Sequence, residues 1–161
     1  MALKEPDPYD LQEVPDWCTR ATVRYAASGQ ECLKFVKLRQ VRAGDWWSNH
    51  HIALRCSVTG ERRTEQEELS DLKALNSIIR RASEPALMHG KIHKDADGRY
   101  IQVGRRWIDL RYLEFAENQL GVEQWDQAPG NKVEAIVGYR DDEPVAIIMP
   151  CTDPRKKGKR K

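Results

Sequence analysis

No Cys-x-x-Cys pair, no apolar leader segment and no apolar run of bilayer length occurs in these 161 residues. Cys18, Cys32, Cys56 and Cys151 are scattered, so the paired spacing of zinc ribbons and thiol redox motifs is excluded and reduced cytoplasmic thiols are expected. A helix needs about 20 apolar residues to span a bilayer, which leaves no membrane partner in view. The chain also lacks a catalytic constellation. His89-x-x-x-His93 has the i, i+4 spacing of two metal ligands, but no glutamate follows the first histidine and Gly90 works against the helix that geometry needs. Asp95-x-Asp97-Gly98 supplies two carboxylates of a calcium loop without a third or a closing glutamate, and reads as a hairpin turn. His50-His51 after Asn49 invites a nuclease reading, against which surface or strand-end histidines weigh more. The expectation is a protein that is not an enzyme and holds no metal or cofactor.

Nor is there an excess of charge of one sign, since 27 Lys and Arg face 25 Asp and Glu for a net +2. Six of the basic residues, however, are Arg155, Lys156, Lys157, Lys159, Arg160 and Lys161; the rest of the chain carries 21 against 25, a net of −4. A mildly acidic body with a basic terminus argues against a broad nucleic-acid-binding face. It makes the tail the electrostatic contact for DNA, weak and without sequence preference. Arg62-Arg63, Arg80-Arg81 and Arg105-Arg106 could meet phosphates in bidentate fashion, but Glu61, Glu65, Glu84 and Asp109 nearby favour an ion-paired, solvated face.

What the chain does have is a closing hairpin. Apolar runs at 133–137 and 145–149 flank 138–144, whose Arg140-Asp141-Asp142-Glu143 centre has turn chemistry. The second run, Val145-Ala146-Ile147-Ile148-Met149, is apolar at every position, which predicts a strand covered on both faces or central in its sheet. At the other terminus Pro6, Pro8 and Pro15 make 1–16 an extended arm, and Trp17 and Cys18 mark where it meets the core. Strands are expected at 22–25, 31–42, 46–50 and 51–58, with a turn at 26–30. Thr64 with Glu67 forms a capping box for a helix whose stripe is Leu69, Leu72, Leu75 and Ile79 and which Pro85 ends. Residues 86–94 are ambiguous. Strands at 99–103 and 107–108 lead into a helix over 110–120, capped by Asp109, stopped by Gly121, with Leu113, Ala116 and Leu120 on one face. A strand at 122–125 precedes the hairpin. Cys32, Cys56 and Cys151 fall on expected strands as small core residues. The reading is one α+β domain over 17–153, two helices packed on antiparallel sheet, with 154–161 a disordered basic tail.

The words of the second half are more specific than its element order. Tyr100-Ile101-Gln102-Val103, Ile108-Asp109-Leu110-Arg111-Tyr112-Leu113, Val122-Glu123-Gln124-Trp125 and Pro144-Val145-Ala146-Ile147-Ile148-Met149-Pro150 follow one another as strand, helix, strand and hairpin. This resembles the C-terminal domain of bacterial DNA sliding clamps, the replicase beta subunit, whose chain ends in a strand with a Met-Pro motif, here Met149-Pro150. The resemblance covers 98–151. In the first half, 33–39 leading to Ser48-Asn49-His50-His51 sits where clamps often carry a strand and Thr-Asp-Gly-His-Arg, with the glycine and arginine absent here. The likeness implies a single DNA-clamp-like domain, a pseudo-twofold repeat with two helices on one side and sheets on the other. Since the ring protein has several such domains per chain, one domain implies either self-assembly into a homo-oligomeric ring or a clamp-like adaptor of phage or mobile-element kind.

The expected function is therefore a non-enzymatic accessory protein that contacts DNA or a host replication or defence protein. The alternative is a small inhibitor of a host nucleic-acid-processing complex, whose acidic body imitates DNA or blocks sterically. Candidate nucleic-acid contacts are the six tail residues named above. Candidate partner contacts are Trp46, Trp47, Arg105, Arg106, Met149 and Pro150; of Trp46, Trp47 and Trp107, two are expected in the core.

Overall fold

An uninterrupted apolar strand has no face to give to water. In the computed structural model, which describes residues 10–27, 29–96, 98–130 and 134–156, that strand lies in the middle of the largest sheet. In chain order the strands are β1 (Arg20–Ala27), β2 (Gln30–Lys37), β3 (Val41–Ala43), β4 (Trp46–Ser48), β5 (Ile52–Arg55), β6 (Glu84–Pro85), β7 (Met88–Asp95), β8 (Gly98–Val103), β9 (Arg106–Asp109), β10 (Gln124–Gln127), β11 (Ile136–Arg140) and β12 (Glu143–Ile148). Helix α1 (Glu65–Arg81) falls between β5 and β6, and α2 (Leu110–Leu120) between β9 and β10. Seven strands form an antiparallel sheet in the order β3-β4-β5-β12-β11-β10-β6, so β12 is its central strand. A three-stranded sheet β7-β8-β9 and a two-stranded ribbon β1-β2 complete the domain.

Alternation along the central strands divides the core in two. Leu54, Ile136, Ala146 and Ile148 point to one side, where α2 and the β7-β8-β9 sheet close a cluster with Trp47, Val103, Ile108 and Trp125. Ala53, Val137 and Ile147 point to the other, against Leu72, Leu75, Ile78 and Ile79 of α1. Two helices do pack on antiparallel sheet, as expected, and β12 is covered on both faces. The one-sided placement of helices implied by the clamp resemblance does not hold, because α1 and α2 cover opposite faces of the large sheet. Among the described residues no helix is long and apolar enough to cross a membrane.

Local chemistry accounts for most boundaries. Asp109 accepts from the Arg111 N–H at 2.9 Å and Gly121 adopts φ 66°, so α2 begins and ends where the sequence predicts. Thr64 caps α1 through the Glu67 N–H at 3.2 Å, and the Glu67 carboxylate reaches back to the Thr64 backbone N–H while also meeting the Thr64 hydroxyl and Arg63, the capping box that the sequence predicts. Leu69, expected on the buried stripe, is exposed: Leu72 packs over Gly44 in the β3–β4 turn, so the turn before it overhangs the edge strand. The closing hairpin turns on Asp141 and Asp142, with φ of 50° and 63°, the two-residue geometry that suits strand twist. Gly138 lies inside β11 rather than in the turn, because a Cβ there would come within 2.8 Å of Trp125 and Val122. The expected strand 31–42 is split, its end joining the large sheet as β3; 86–94 resolves into β7, and the strand expected at 122–125 is β10, two residues later.

Both termini are tied to the body where they are described. The arm is held down at 10–14: Leu11 C=O accepts from the Ser57 N–H at 3.0 Å, the Ser57 hydroxyl meets the Asp10 carboxylate, and Leu11 and Val14 pack on the core. The tail does not start disordered at 154, since Pro154 is buried and Pro154–Lys156 form a short 3-10 turn. The tail residues Lys157, Lys159, Arg160 and Lys161 lie outside the described residues, as do residues 1–9.

Candidate functional site

Trp46 and Trp47 are neighbours on β4 and therefore face opposite ways. Trp47 is fully buried on the α2 side and Trp46 is buried under α1, which removes both from the set of surface contacts. Trp107 is the partly exposed member of the three. Arg106 is also corrected: it is 2% exposed, and its guanidinium donates to Gln127 Oε1 at 2.6 Å, Glu134 O at 3.1 Å and Ala128 O at 3.2 Å. Burial, followed by the neighbouring Arg105 charge, pushes the Arg106 pKa down. Its work is to tie β9 to β10 and to the approach to β11. Arg105 is exposed but engaged, with Glu84 at 3.1 Å and Ala128 O at 2.8 Å. Met149 and Pro150 stay at the surface, Met149 with its N–H bonded to His51 O at 2.9 Å.

Among the described residues no three His, Cys, Asp or Glu side chains are grouped to hold a metal ion. His93 lies 3.6 Å from Asp95 and edge-on to Trp107, while the His89 side chain and Asp97 are outside what is described. Asp95 Oδ1 accepts from the Gly98 N–H at 3.2 Å, the hairpin turn that the sequence predicts. His50 has φ 73° in the β4–β5 turn, which is organised by a residue that sequence reasoning missed. Asn49, 1% exposed, accepts at Oδ1 from the His51 and Ile52 N–H groups, both at 2.9 Å, and donates to Cys18 O at 2.7 Å. Burial lowers the His51 pKa, His50 adds to that, and Asp109 opposes it.

Through Asn49 the β4–β5 turn, the start of β1 and the N-terminus of α2 meet at one end of the molecule. Trp17 stacks against Tyr112 at 5.5 Å and Phe115 at 5.8 Å, with the Arg111 guanidinium 5.2 Å from its ring. The chain terminus arrives at the same end: the Cys151 N–H donates to Trp107 O at 2.7 Å on β9, and Arg155 lies 5.1 Å over the Trp107 ring while paired to Asp153 at 2.8 Å. The first residue of the basic run, Arg155, is thus anchored on β9. The opposite end carries Asp141, Asp142, Glu143 and Asp45, with Arg55 reaching Glu143 at 3.4 Å and Asp45 at 3.8 Å. Between the two ends, the α1 face leaves a groove of about 180 Å³ lined by Trp46, Ala53, Leu75, Ile78, His51 and Met149.

No protein-family model, no curated protein and no solved structure matches the chain. Its class is therefore stated from its own architecture, a two-helix α+β domain built on a seven-stranded antiparallel sheet.

Proposed function

We propose that this chain is a non-enzymatic accessory protein of phage or mobile-element kind, with a second half of sliding-clamp element order, that contacts DNA through the end of the molecule from which its terminus emerges. The observation that carries this reading is the separation of charge along the domain. Arg155, the first residue of the basic run, is anchored on β9 near the N-terminus of α2, whereas Asp45, Asp141, Asp142 and Glu143 lie at the far end. A polyanion would approach the first end and be turned from the second.

Truncation after Pro154 tests it. With about four to six phosphates neutralised by the tail, the slope of log affinity for duplex DNA against log salt should lose about 4 to 5. The thermal midpoint should hardly move, because Pro154 remains in place. Unaltered DNA binding by the truncated chain would contradict the reading. It would shift weight to DNA mimicry, which the acidic turn Asp141-Asp142 favours and which predicts that Asp141→Asn with Asp142→Asn abolishes capture of a basic DNA-binding partner while tail removal does nothing.

A further inference from the structure

The β1–β2 ribbon carries chemistry that neither helix-covered face uses. Its strands pair in register from Arg20↔Lys37 to Ala27↔Gln30, a length of about 26 Å at the rise of a strand. Among the described residues it packs on the body through the 3-10 turn at its root, where the Leu38 N–H donates to Thr19 O at 2.8 Å. A two-stranded ribbon with no third strand or helix behind it is marginal in water.

Its charge adds to that cost. Arg20 and Lys37 are directly opposed and exposed, like charges that repel across the ladder. Lys34 is exposed as well. Basic residues just past the ribbon are engaged: Arg39 grips Glu61 with two bonds of 2.8 and 2.9 Å, and Arg42 donates to the carbonyls of Cys56, Val58 and Gly44. Arg20, Lys34 and Lys37 have no such partner among the described residues.

We propose that the ribbon is a duplex-DNA contact, lying in the major groove with Arg20 and Lys37 on flanking phosphates. This rests on the DNA-contact reading above and adds the element and the duplex class. A major groove about 12 Å wide admits a two-stranded ribbon, and the register puts Arg20 and Lys37 on its two strands, one toward each wall of the groove. The deep, narrow major groove of duplex RNA does not admit it. Phosphates between Arg20 and Lys37 would turn their repulsion into shared attraction.

The experiment uses the full chain, a labelled mixed-sequence duplex DNA, its single strand and a duplex RNA. Arg20→Gln with Lys37→Gln should weaken duplex-DNA binding about 10- to 30-fold and reduce the magnitude of the salt slope by about two, with the thermal midpoint unchanged or slightly raised. Lys91→Gln with Lys94→Gln, which removes equal charge from exposed positions on β7, should change duplex binding far less. Equal losses from both pairs would overturn the ribbon contact, as would unchanged affinity and slope in the ribbon variant; in either case the DNA-contact reading stands if the unaltered chain binds. Single-strand or duplex-RNA binding as tight as duplex-DNA binding would overturn the groove assignment. Failure of the unaltered chain to bind any of the three would overturn both readings.

Discussion

The two faces of the large sheet are covered by helices of opposite character. Helix α2, 11 residues long, buries Leu110, Leu113, Ala116 and Leu120, whereas α1, with 17 residues, buries none. α1 rests on the half-buried stripe Leu72, Leu75, Ile78 and Ile79, supplemented by the Thr64 cap, Arg63 bridging Glu67 and Asp71 at 2.6 Å each, and Arg81 with Glu134 at 3.0 Å. α2 is held by packing. The lesson is that helix length says little about contribution to the core. Most of the apolar burial that stabilises this domain lies on the α2 side, and the α1 side keeps a groove.

The comparison can be broken by substitution. Leu113→Ala should cost about 3 kcal/mol, with its cavity closed in on all sides, whereas Leu75→Ala, half-buried at the groove, should cost about 1 kcal/mol; equal losses in urea unfolding would show that the faces are packed alike. A sharper pair lies on adjacent central strands. Ala146→Val, toward α2, should cost about 1 to 3 kcal/mol by overpacking, while Ala53→Val, toward the groove, should be neutral or add up to about 0.8 kcal/mol.

The smallest effect is one of pH. Burial pushes the Cys18 thiol from 9.0 up to about 12, with Arg111 opposing it, and burial raises Cys56 and Tyr112 in the same direction. A raised pKa means that the folded chain keeps a proton the unfolded chain releases. The Cys18 contribution is therefore intact below pH 9 and lost between about 9 and 12. The thermal midpoint should fall over that window, less steeply in Cys18→Ala, and at pH 8 Cys151 should alkylate well before Cys18.

Legibility in the sequence followed the range of the physics. α2 could be read to the residue because Asp109, Leu113, Ala116, Leu120 and Gly121 act within one helix. β12 could be read because an all-apolar strand admits few environments. Where the deciding partner is distant, reading failed. Strand 31–42 divides because Val41 pairs with Ser48 and bridges Glu61. β7 was ambiguous because the irregular stretch from His89 to His93 interrupts its alternation. The burial of Arg106 depends on carbonyls at Ala128 and Glu134, and that of Asn49 on Cys18. In the candidate site, the tail is visible as charge alone, but the anchoring of Arg155 on Trp107 needs the fold.

The central claim is contact with DNA by the basic terminus and the ribbon. Affinity of the unaltered chain for a mixed-sequence duplex, followed from about 50 to 200 mM salt, tests it most directly. About six to eight phosphates predict a slope of log affinity against log salt of about −5 to −7, and a slope near zero, or no binding at the lowest salt, would contradict the account.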